Sequence, residues 1–134
     1  MKAKLYVFVA GLGLLATAAP MMAHHSFTAE YDAAKPVALN GTVTKVEWMN
    51  PHARFYIDVK DDSGTVTNWE LELGSPNALM RLGWTRNSLK PGDGVSVEGS
   101  LAKDGSKLAN ARKVTLADGR KVFAGSAADT EEKK

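Results

Sequence analysis

The sequence predicts a single all-β domain interrupted by one short helix. Apolar and polar residues alternate along several short segments, turns rich in glycine and aspartate separate these segments, and one stretch changes to a helical spacing. The chain has 134 residues, of which 44% are hydrophobic and 24% charged. This size and composition fit one globular domain and exclude collagen-like, coiled-coil and wholly disordered classes.

Residues 1–23 have the layout of a secretory signal peptide. A basic start precedes an apolar run over residues 5–15, and small residues follow it. The run is shorter than the ~20 residues of a transmembrane helix, so we expect a periplasmic or secreted protein with no membrane anchor after processing. Cleavage after Ala23 makes His24 the new amino terminus, whereas cleavage after Ala18 fits the A-x-A rule better.

Loss of this leader changes the charge of the chain. Two of the 17 basic residues, Lys2 and Lys4, lie in the leader, which holds none of the 15 acidic residues. The processed chain is therefore formally neutral, and we expect no nucleic-acid partner, because such binding needs a positive surface. Cysteine is absent, which excludes disulfides, thiolate metal sites and cysteine nucleophiles.

The strand pattern begins after a polar lead-in, residues 24–35, and defines a predicted barrel domain over residues 36–124. In the first strand the apolar alternation runs through Gly41 and Val43 and then shifts by one residue to Val46, which predicts a bulge in a long, bent strand. The turn at residues 61–64 joins the second strand to the third. Their inward residues are predicted to be Phe55, Ile57 and Val59, and Trp69, Leu71 and Leu73.

A short helix follows the third strand. Ser75 is a suitable N-cap, Pro76 suits the first helical position, and Gly83 ends the helix. Two more strands follow, and Asp118-Gly119 can reverse the chain into a short sixth strand. Residues 125–134 are predicted to be a disordered tail. Three strands, a helix and two strands is the order of an oligonucleotide/oligosaccharide-binding (OB) barrel, so we expect an OB-fold-like five-stranded barrel.

Several short motifs resemble a family of small exported bacterial proteins known only as a domain of unknown function. The resemblance covers nearly all of the processed chain and implies a mature protein that starts at the paired histidines. It implies no activity. The motifs that carry it are His24-His25-Ser26-Phe27, Tyr31-Asp32, Asn50-Pro51-His52, Trp69-Glu70 and Ser75-Pro76-Asn77-Ala78-Leu79-Met80-Arg81-Leu82-Gly83-Trp84.

The three histidines of the chain all follow the leader. His24 and His25 are adjacent at the start of the processed chain, and His52 follows the Asn50-Pro51 step at the junction of the first two strands. Neutral imidazole is a preferred ligand of copper and zinc, and a terminal amine beside an imidazole chelates copper. The sequence points to a site for copper or another transition metal at His24, His25 and His52, with inert surface histidines as the alternative.

A second candidate site is the outward face of the second and third strands. If the hairpin is centred near Ser63, Arg54 faces Glu72 and Tyr56 faces Glu70. These strands form the usual ligand face of an OB barrel. The face therefore predicts a surface that binds a peptide, a sugar or a partner protein, with a surface Arg–Glu pair as the purely structural alternative.

Trp48 is a candidate wall of a site beside His52, and its neighbour Met49 is interpreted as a packing residue, with a soft ligand for Cu(I) as the alternative. The sequence contains no Ser-His-Asp arrangement, zinc-protease motif or phosphate-binding loop. We therefore expect a small exported binding module rather than an enzyme. Its predicted ligand is copper or zinc, and an accessory protein that binds a periplasmic partner is the alternative.

Overall fold

The structure, a computed structural model, describes residues 27–125. Its strands and main helix are, in chain order, β1 (Tyr31–Glu47), β2 (Arg54–Lys60), β3 (Val66–Glu72), α1 (Pro76–Arg81), β4 (Gly94–Ala102), β5 (Leu108–Thr115) and β6 (Lys121–Phe123). The predicted leader, His24, His25 and the predicted tail beyond Gly125 lie outside the described residues. Within residues 27–125 no helix is long and apolar enough to span a bilayer.

The strands form one sheet that closes on itself. Neighbours in the order β3-β2-β1-β4-β5-β6 pair antiparallel, and a parallel pairing of β3 with β5 closes a ring of five strands. A closed ring whose first strand pairs with both the second and the fourth is the OB-type arrangement. The predicted OB-fold-like barrel and its short sixth strand are confirmed.

β1 is long enough to pair with two neighbours because it bends at a bulge. Its first part pairs with β4, its last part pairs with β2, and the register to β2 shifts between Val43 and Lys45. The predicted bulge is thus confirmed. At Gly41 a Cβ atom would lie 2.5 Å from the carbonyl oxygen of Asp58, so a side chain here would push β2 away.

The first strand starts earlier than predicted. A helical turn spans residues 27–30, and β1 begins at Tyr31 rather than at Pro36. Phe27 and Tyr31 are 4% and 2% exposed and pack with Ala102 in a small second cluster outside the main core. Residues 27–35 are therefore not a loose polar lead-in, because two aromatic side chains attach this segment to the barrel.

The main core fills the ring of strands and is closed by α1. The side chain of Ser75 accepts a hydrogen bond from the amide of Ala78, and Leu79 of α1 is fully buried. Phe55, Ile57 and Leu71 point inward as predicted and are fully buried. Trp69, also predicted to point inward, is only partly buried against the core, and Lys107 Nζ lies 5.1 Å from the centroid of its ring.

Gly99 is a position in β4 where the barrel does not accommodate a side chain. It lies at the irregularity between β4 and β5, and a Cβ atom there would overlap the carbonyl oxygen of Asn110. We expect Gly99→Ala to lower the free energy of unfolding by about 3 kcal/mol, because the backbones of two paired strands would have to separate. Gly94→Ala is the matched control, since a Cβ atom at Gly94 meets nothing within 4 Å. Urea denaturation that gives equal midpoints for the two variants would contradict this packing.

Candidate functional site

The outward face of β2 and β3 has the predicted register. Arg54 pairs with Glu72, Tyr56 with Glu70, and Asp58 with Asn68. Side chains directly opposite each other on one face of a sheet are in contact range. The hairpin therefore places one arginine and two glutamates side by side, and the register carries on to β5, where Asn110 pairs with Glu72.

Glu72 is the centre of this face, and its side chain is only 8% exposed. One carboxylate oxygen, Oε2, accepts hydrogen bonds from Tyr31 Oη at 2.8 Å and from Arg54 Nη2 at 3.1 Å. The other, Oε1, lies 3.0 Å from His52 Nδ1. A buried carboxylate is costly unless its oxygens are satisfied, and these three partners from β1, β2 and the β1–β2 corner satisfy both of them.

Glu70 and Glu47 extend the network toward solvent. Arg54 Nη1 donates to Glu70 Oε1 at 2.6 Å, and Tyr56 Oη lies 3.2 Å from the same oxygen and 3.4 Å from Glu47 Oε2. Lys45 Nζ is 2.7 Å from Glu47. The predicted residues Arg54, Tyr56, Glu70 and Glu72 therefore lie together in one network, in which Arg54 bridges the two glutamates.

Carboxylates outnumber basic groups in this network, with Glu47, Glu70 and Glu72 beside Lys45 and Arg54. Partial burial and the nearby charge of Glu72 raise the pKa of Glu30, with a further contribution from Glu70 and in spite of the opposing charge of Arg54. Burial and the charge of Glu72 likewise raise the pKa of the Tyr31 hydroxyl, which stays protonated and donates to that carboxylate. A negative potential at a half-exposed imidazole favours a bound cation.

His52 is the one histidine among residues 27–125, and its two ring nitrogens have different surroundings. Nδ1 lies 3.0 Å from Glu72 Oε1, and the side chain is 41% exposed. This contact places the carboxylate beside Nδ1, and Nε2 is the other ring nitrogen that can bind a ligand. A carboxylate that accepts one ring N–H while the other nitrogen binds a metal ion is the usual outer partner of a metal-binding histidine.

The described residues alone do not complete a metal centre. Across residues 27–125 no group of three or more histidine and acidic side chains is arranged to hold a metal ion. The other predicted ligands, His24 and His25, lie outside the described residues. Trp48 packs partly buried against the core beside the corner, whereas Met49 is 48% exposed, so the interpretation of Met49 as a packing residue is wrong.

A buried amide beside Glu72 completes this face. Asn110 is 3% exposed, and within the described part of the chain its Oδ1 has no hydrogen-bond partner. Asn110 lies opposite Glu72 on β3 and opposite Ser100 on β4. The outward row across the sheet is therefore polar throughout, although its middle is buried.

Sequence reasoning missed the contribution of the amino-terminal segment. Tyr31 was predicted to lie in a polar lead-in, yet its hydroxyl reaches Glu72, 41 positions later in the chain. The available signal was the spacing of Phe27 and Tyr31, which places two aromatic rings on one side of a helical turn. Their centroids are 5.6 Å apart, which is the range of a favourable aromatic pair.

Loss of the Tyr31 hydroxyl is expected to destabilise the protein in a pH-dependent way. We expect Tyr31→Phe to lower the free energy of unfolding by about 1–2 kcal/mol at neutral pH, because the hydroxyl is buried and bonded to a carboxylate. Since folding raises the pKa of Tyr31, its contribution is complete below about pH 10 and declines as the pH rises further. Urea denaturation at neutral pH and above about pH 10 gives the free energies of unfolding of the wild type and the variant. The difference between the two proteins should shrink in alkali.

Tyr56→Phe is the matched control for that experiment. The Tyr56 hydroxyl is more exposed to solvent, and its distances to two carboxylates are 3.2 and 3.4 Å. We therefore expect a smaller loss than for Tyr31→Phe. Equal losses at neutral pH, or a deficit of Tyr31→Phe that grows in alkali, would contradict the role given to Tyr31.

A comparison with protein families shows to which family this chain belongs. Residues 11–111 match the model of DUF6152, a family of unknown function. The chain belongs to this family. The resemblance to a family of unknown function is thereby confirmed, and the match spans the Glu72 network, the strand corner with His52 and the helix α1. No curated protein matches the chain.

Three solved structures have a chain path similar to this one. The mitochondrial single-stranded DNA-binding protein Rim1 from S. cerevisiae has 12% identity and a TM-score of 0.48, covering 61% of this chain and 92% of that one. TiaS, in a complex with tRNA and ATP, has 23% identity and a TM-score of 0.46, covering 63% of this chain and 18% of that one. The PriB amino-terminal domain from Thermoanaerobacter tencongensis has 20% identity and a TM-score of 0.42, covering 62% of this chain and 96% of that one. At these TM-scores the likenesses carry no argument about function.

Proposed function

We propose that the protein is an exported binding module that holds a copper or zinc ion through His52, His24 and His25. The observation that carries the proposal is the 3.0 Å contact between His52 Nδ1 and the buried carboxylate of Glu72. A carboxylate beside one ring nitrogen is the usual outer partner of a histidine that binds a metal ion through the other nitrogen. A surface histidine without a function does not require a buried carboxylate as its partner. This carboxylate is itself hydrogen-bonded to Tyr31 and Arg54.

The attachment of Phe27 and Tyr31 supports the contribution of the amino-terminal histidines. Tyr31 and His52 bind the two oxygens of one carboxylate, so the start of β1 and the strand corner meet at Glu72. His25 precedes the buried Phe27 by two residues, and each residue extends the chain by at most ~3.6 Å.

The chemistry of a processed amino terminus adds further ligands. If cleavage leaves His24 first, its amine and its imidazole supply two nitrogen donors, and His25 or His52 supplies a third. Copper and zinc both accept such nitrogen sets. The negative potential around Glu72 and Glu70 adds attraction for a cation.

Titration of the processed protein tests this proposal. Intact mass first gives the mature amino terminus, and Cu(II) and Zn(II) are then titrated into the wild type, into His52→Ala and into His24→Ala/His25→Ala. We expect 1:1 binding by the wild type and weaker binding by both variants. His52→Gln is the matched control for folding, because its amide can still donate to Glu72 while it removes the imidazole ligand. Uptake that is equal and weak in all of these proteins would refute the metal site.

The second candidate function is binding of a peptide, a sugar or a periplasmic partner protein on the outward face of β2 and β3. The observation in its favour is that Arg54 and Glu70 keep 30% and 29% side-chain exposure within a fixed network. Pull-down with Tyr56→Ala/Glu70→Gln tests it, since loss of a partner with folding intact would favour this function. Retention of the same partners would leave the network with a structural role.

The absence of a nucleic-acid partner stays a prediction. The outward face of β2 and β3 presents three carboxylates, Asp58, Glu70 and Glu72, against the two basic groups Arg54 and Lys60. A phosphate backbone is repelled by such a face. Titration with fluorescent single-stranded DNA at low salt should give no saturable signal.

A further inference from the structure

We propose that an alkali-metal ion, Na⁺ or K⁺, binds between the amino-terminal segment and the barrel, with the side-chain oxygen of Asn110 and the carboxylate of Glu72 as ligands. The ion lies in what we call the segment layer, between residues 27–31 and the outward face of β3 and β5. The inference uses residues 27–125 alone and is independent of the transition-metal site proposed at His52.

Asn110 points into the segment layer. Its neighbours in β5, Ala109 and Ala111, belong to the main core, and successive side chains of a strand point to opposite faces. The side chain of Asn110 is therefore on the outward face. Leu108, two residues earlier on the same face, packs against the small aromatic cluster of the amino-terminal segment. Asn110 itself is 3% exposed, so protein atoms rather than bulk solvent surround its amide.

Glu72 lies beside Asn110 in the same layer. The two residues are opposite each other in the parallel pairing of β3 with β5, and neighbouring strands are ~4.8 Å apart. Glu72 Oε2 accepts a hydrogen bond from Tyr31 Oη at 2.8 Å, so this carboxylate reaches the amino-terminal segment. The strand register and the hydrogen bond together bring Asn110, Glu72 and Tyr31 to one place.

The oxygen atoms at this place lack a donor. Asn110 Oδ1 is buried and has no hydrogen-bond partner within the described part of the chain. The Tyr31 hydroxyl gives its one proton to Glu72, so its oxygen offers only lone pairs to any other group. A buried acceptor without a partner is costly, and a bound donor or cation removes that cost.

The charge around the segment layer favours a cation over a water molecule. The carboxylates here outnumber the basic groups, with Glu30, Glu70, Glu72 and Asp104 against Arg54 and Lys103. Partial burial and the charge of Glu72 raise the pKa of Glu30, although Arg54 acts in the opposite direction. An acidic surplus beside a buried acceptor attracts a positive ion.

The ligand atoms indicate the kind of ion. Carboxylate, amide and hydroxyl oxygens are hard ligands, unlike the nitrogen and sulfur atoms that copper and zinc prefer. Ca²⁺ takes 6–8 oxygen ligands, and residues 27–125 hold no group of three histidine or acidic side chains arranged for a metal ion. The carboxylate of Glu72 is also paired with Arg54, so a single positive charge suits this site better than two.

Urea denaturation in NaCl, KCl and choline chloride at equal ionic strength tests the inference. EDTA is present throughout to remove transition metals, and choline controls for charge screening because it is too large for the layer. We expect the urea midpoint of the wild type to rise to a plateau with Na⁺ or K⁺ but not with choline. At an ion concentration of about ten times Kd, the unfolding equilibrium constant should fall about tenfold. The ion with the lower Kd is the preferred ligand.

Substitutions of Asn110 locate the ion. Asn110→Leu should lose the dependence on Na⁺ or K⁺, and Asn110→Asp should strengthen it, because a carboxylate of the same shape replaces the amide. Asn68→Asp is the matched control, since it adds the same charge to an exposed position of the outward face and should respond to the ions like the wild type.

Two results would overturn the inference. Equal midpoints of the wild type in the three salts would mean that Asn110 meets only water. Wild-type ion dependence in Asn110→Leu, or in Asn110→Asp if the leucine variant does not fold, would place the ion elsewhere.

Discussion

Replacing Glu72 with alanine is expected to lower the free energy of unfolding by about 2–3 kcal/mol. The substitution leaves the buried Tyr31 hydroxyl without its acceptor and removes one of the two carboxylates that pair with Arg54. Loss of one partner from a buried ion pair costs about 3–5 kcal/mol, and the 30% exposure of Arg54 reduces that figure because water can replace part of the interaction. Chemical denaturation followed by tryptophan fluorescence measures the change.

Glu72→Gln separates the stabilising role of this residue from its role at the metal site. The glutamine oxygen can still accept from Tyr31 and Arg54, and in that orientation an NH2 group, which is only a donor, replaces the oxygen beside His52 Nδ1. We expect a smaller loss of stability than for alanine, and a loss of metal affinity of about 10–100-fold. Glu70→Gln is the matched control, since Glu70 also pairs with Arg54 but does not contact His52. Equal metal affinities of the two glutamine variants would contradict the orientation of His52 by Glu72.

Replacing Phe27 with alanine is expected to affect stability and metal binding together. Phe27 is 4% exposed in the small cluster with Tyr31 and Ala102, so truncation should cost about 3 kcal/mol, at the low end for a buried phenylalanine. The residues before it would lose their attachment to the barrel. Fixing two or three residues costs about 1–2 kcal/mol each, so metal affinity should fall about tenfold or more although Phe27 is not a ligand.

The control for Phe27→Ala is a core truncation away from the site. Leu89 is 5% exposed in the main core and touches neither the small cluster nor the Glu72 network. Leu89→Ala should lose comparable stability, about 2–3 kcal/mol, and keep the metal affinity of the wild type. Parallel losses of metal affinity in the two variants would mean that affinity follows overall stability, and the attachment of the amino-terminal segment would have no specific role.

The barrel was predictable from sequence because the alternation of apolar and polar residues along each strand is a local pattern. Inward residues such as Phe55, Ile57 and Leu71 alternate with polar ones, and a wrong register would turn an entire apolar set toward water. The turn at residues 61–64 fixes the β2–β3 register, so the pairings of Arg54 with Glu72 and Tyr56 with Glu70 followed from it. The bulge in β1 corresponds to a one-residue slip in the alternation of apolar residues, so the bulge was also predictable from sequence.

The features that escaped prediction depend on contacts between distant parts of the chain. The parallel pairing of β3 with β5 places Asn110 beside Glu72, and no local pattern shows this. Tyr31 reaches Glu72 only after β1 has wrapped around to pair with β4. The exposure of Met49 likewise depends on how the corner packs, since a methionine next to a tryptophan is usually packed as well.

In the proposed site His52 binds a metal ion through Nε2, while Nδ1 stays beside the carboxylate of Glu72. Long-range ¹H–¹⁵N correlation spectra of the processed protein, recorded before and after one equivalent of Zn(II) or Cu(I), report on the two ring nitrogens separately. We expect the Nε2 resonance of His52 to shift on metal addition while Nδ1 keeps the signature of a protonated nitrogen. A His52 ring that is unchanged by either ion, or one that binds metal through Nδ1 with loss of its contact to Glu72, would contradict the account.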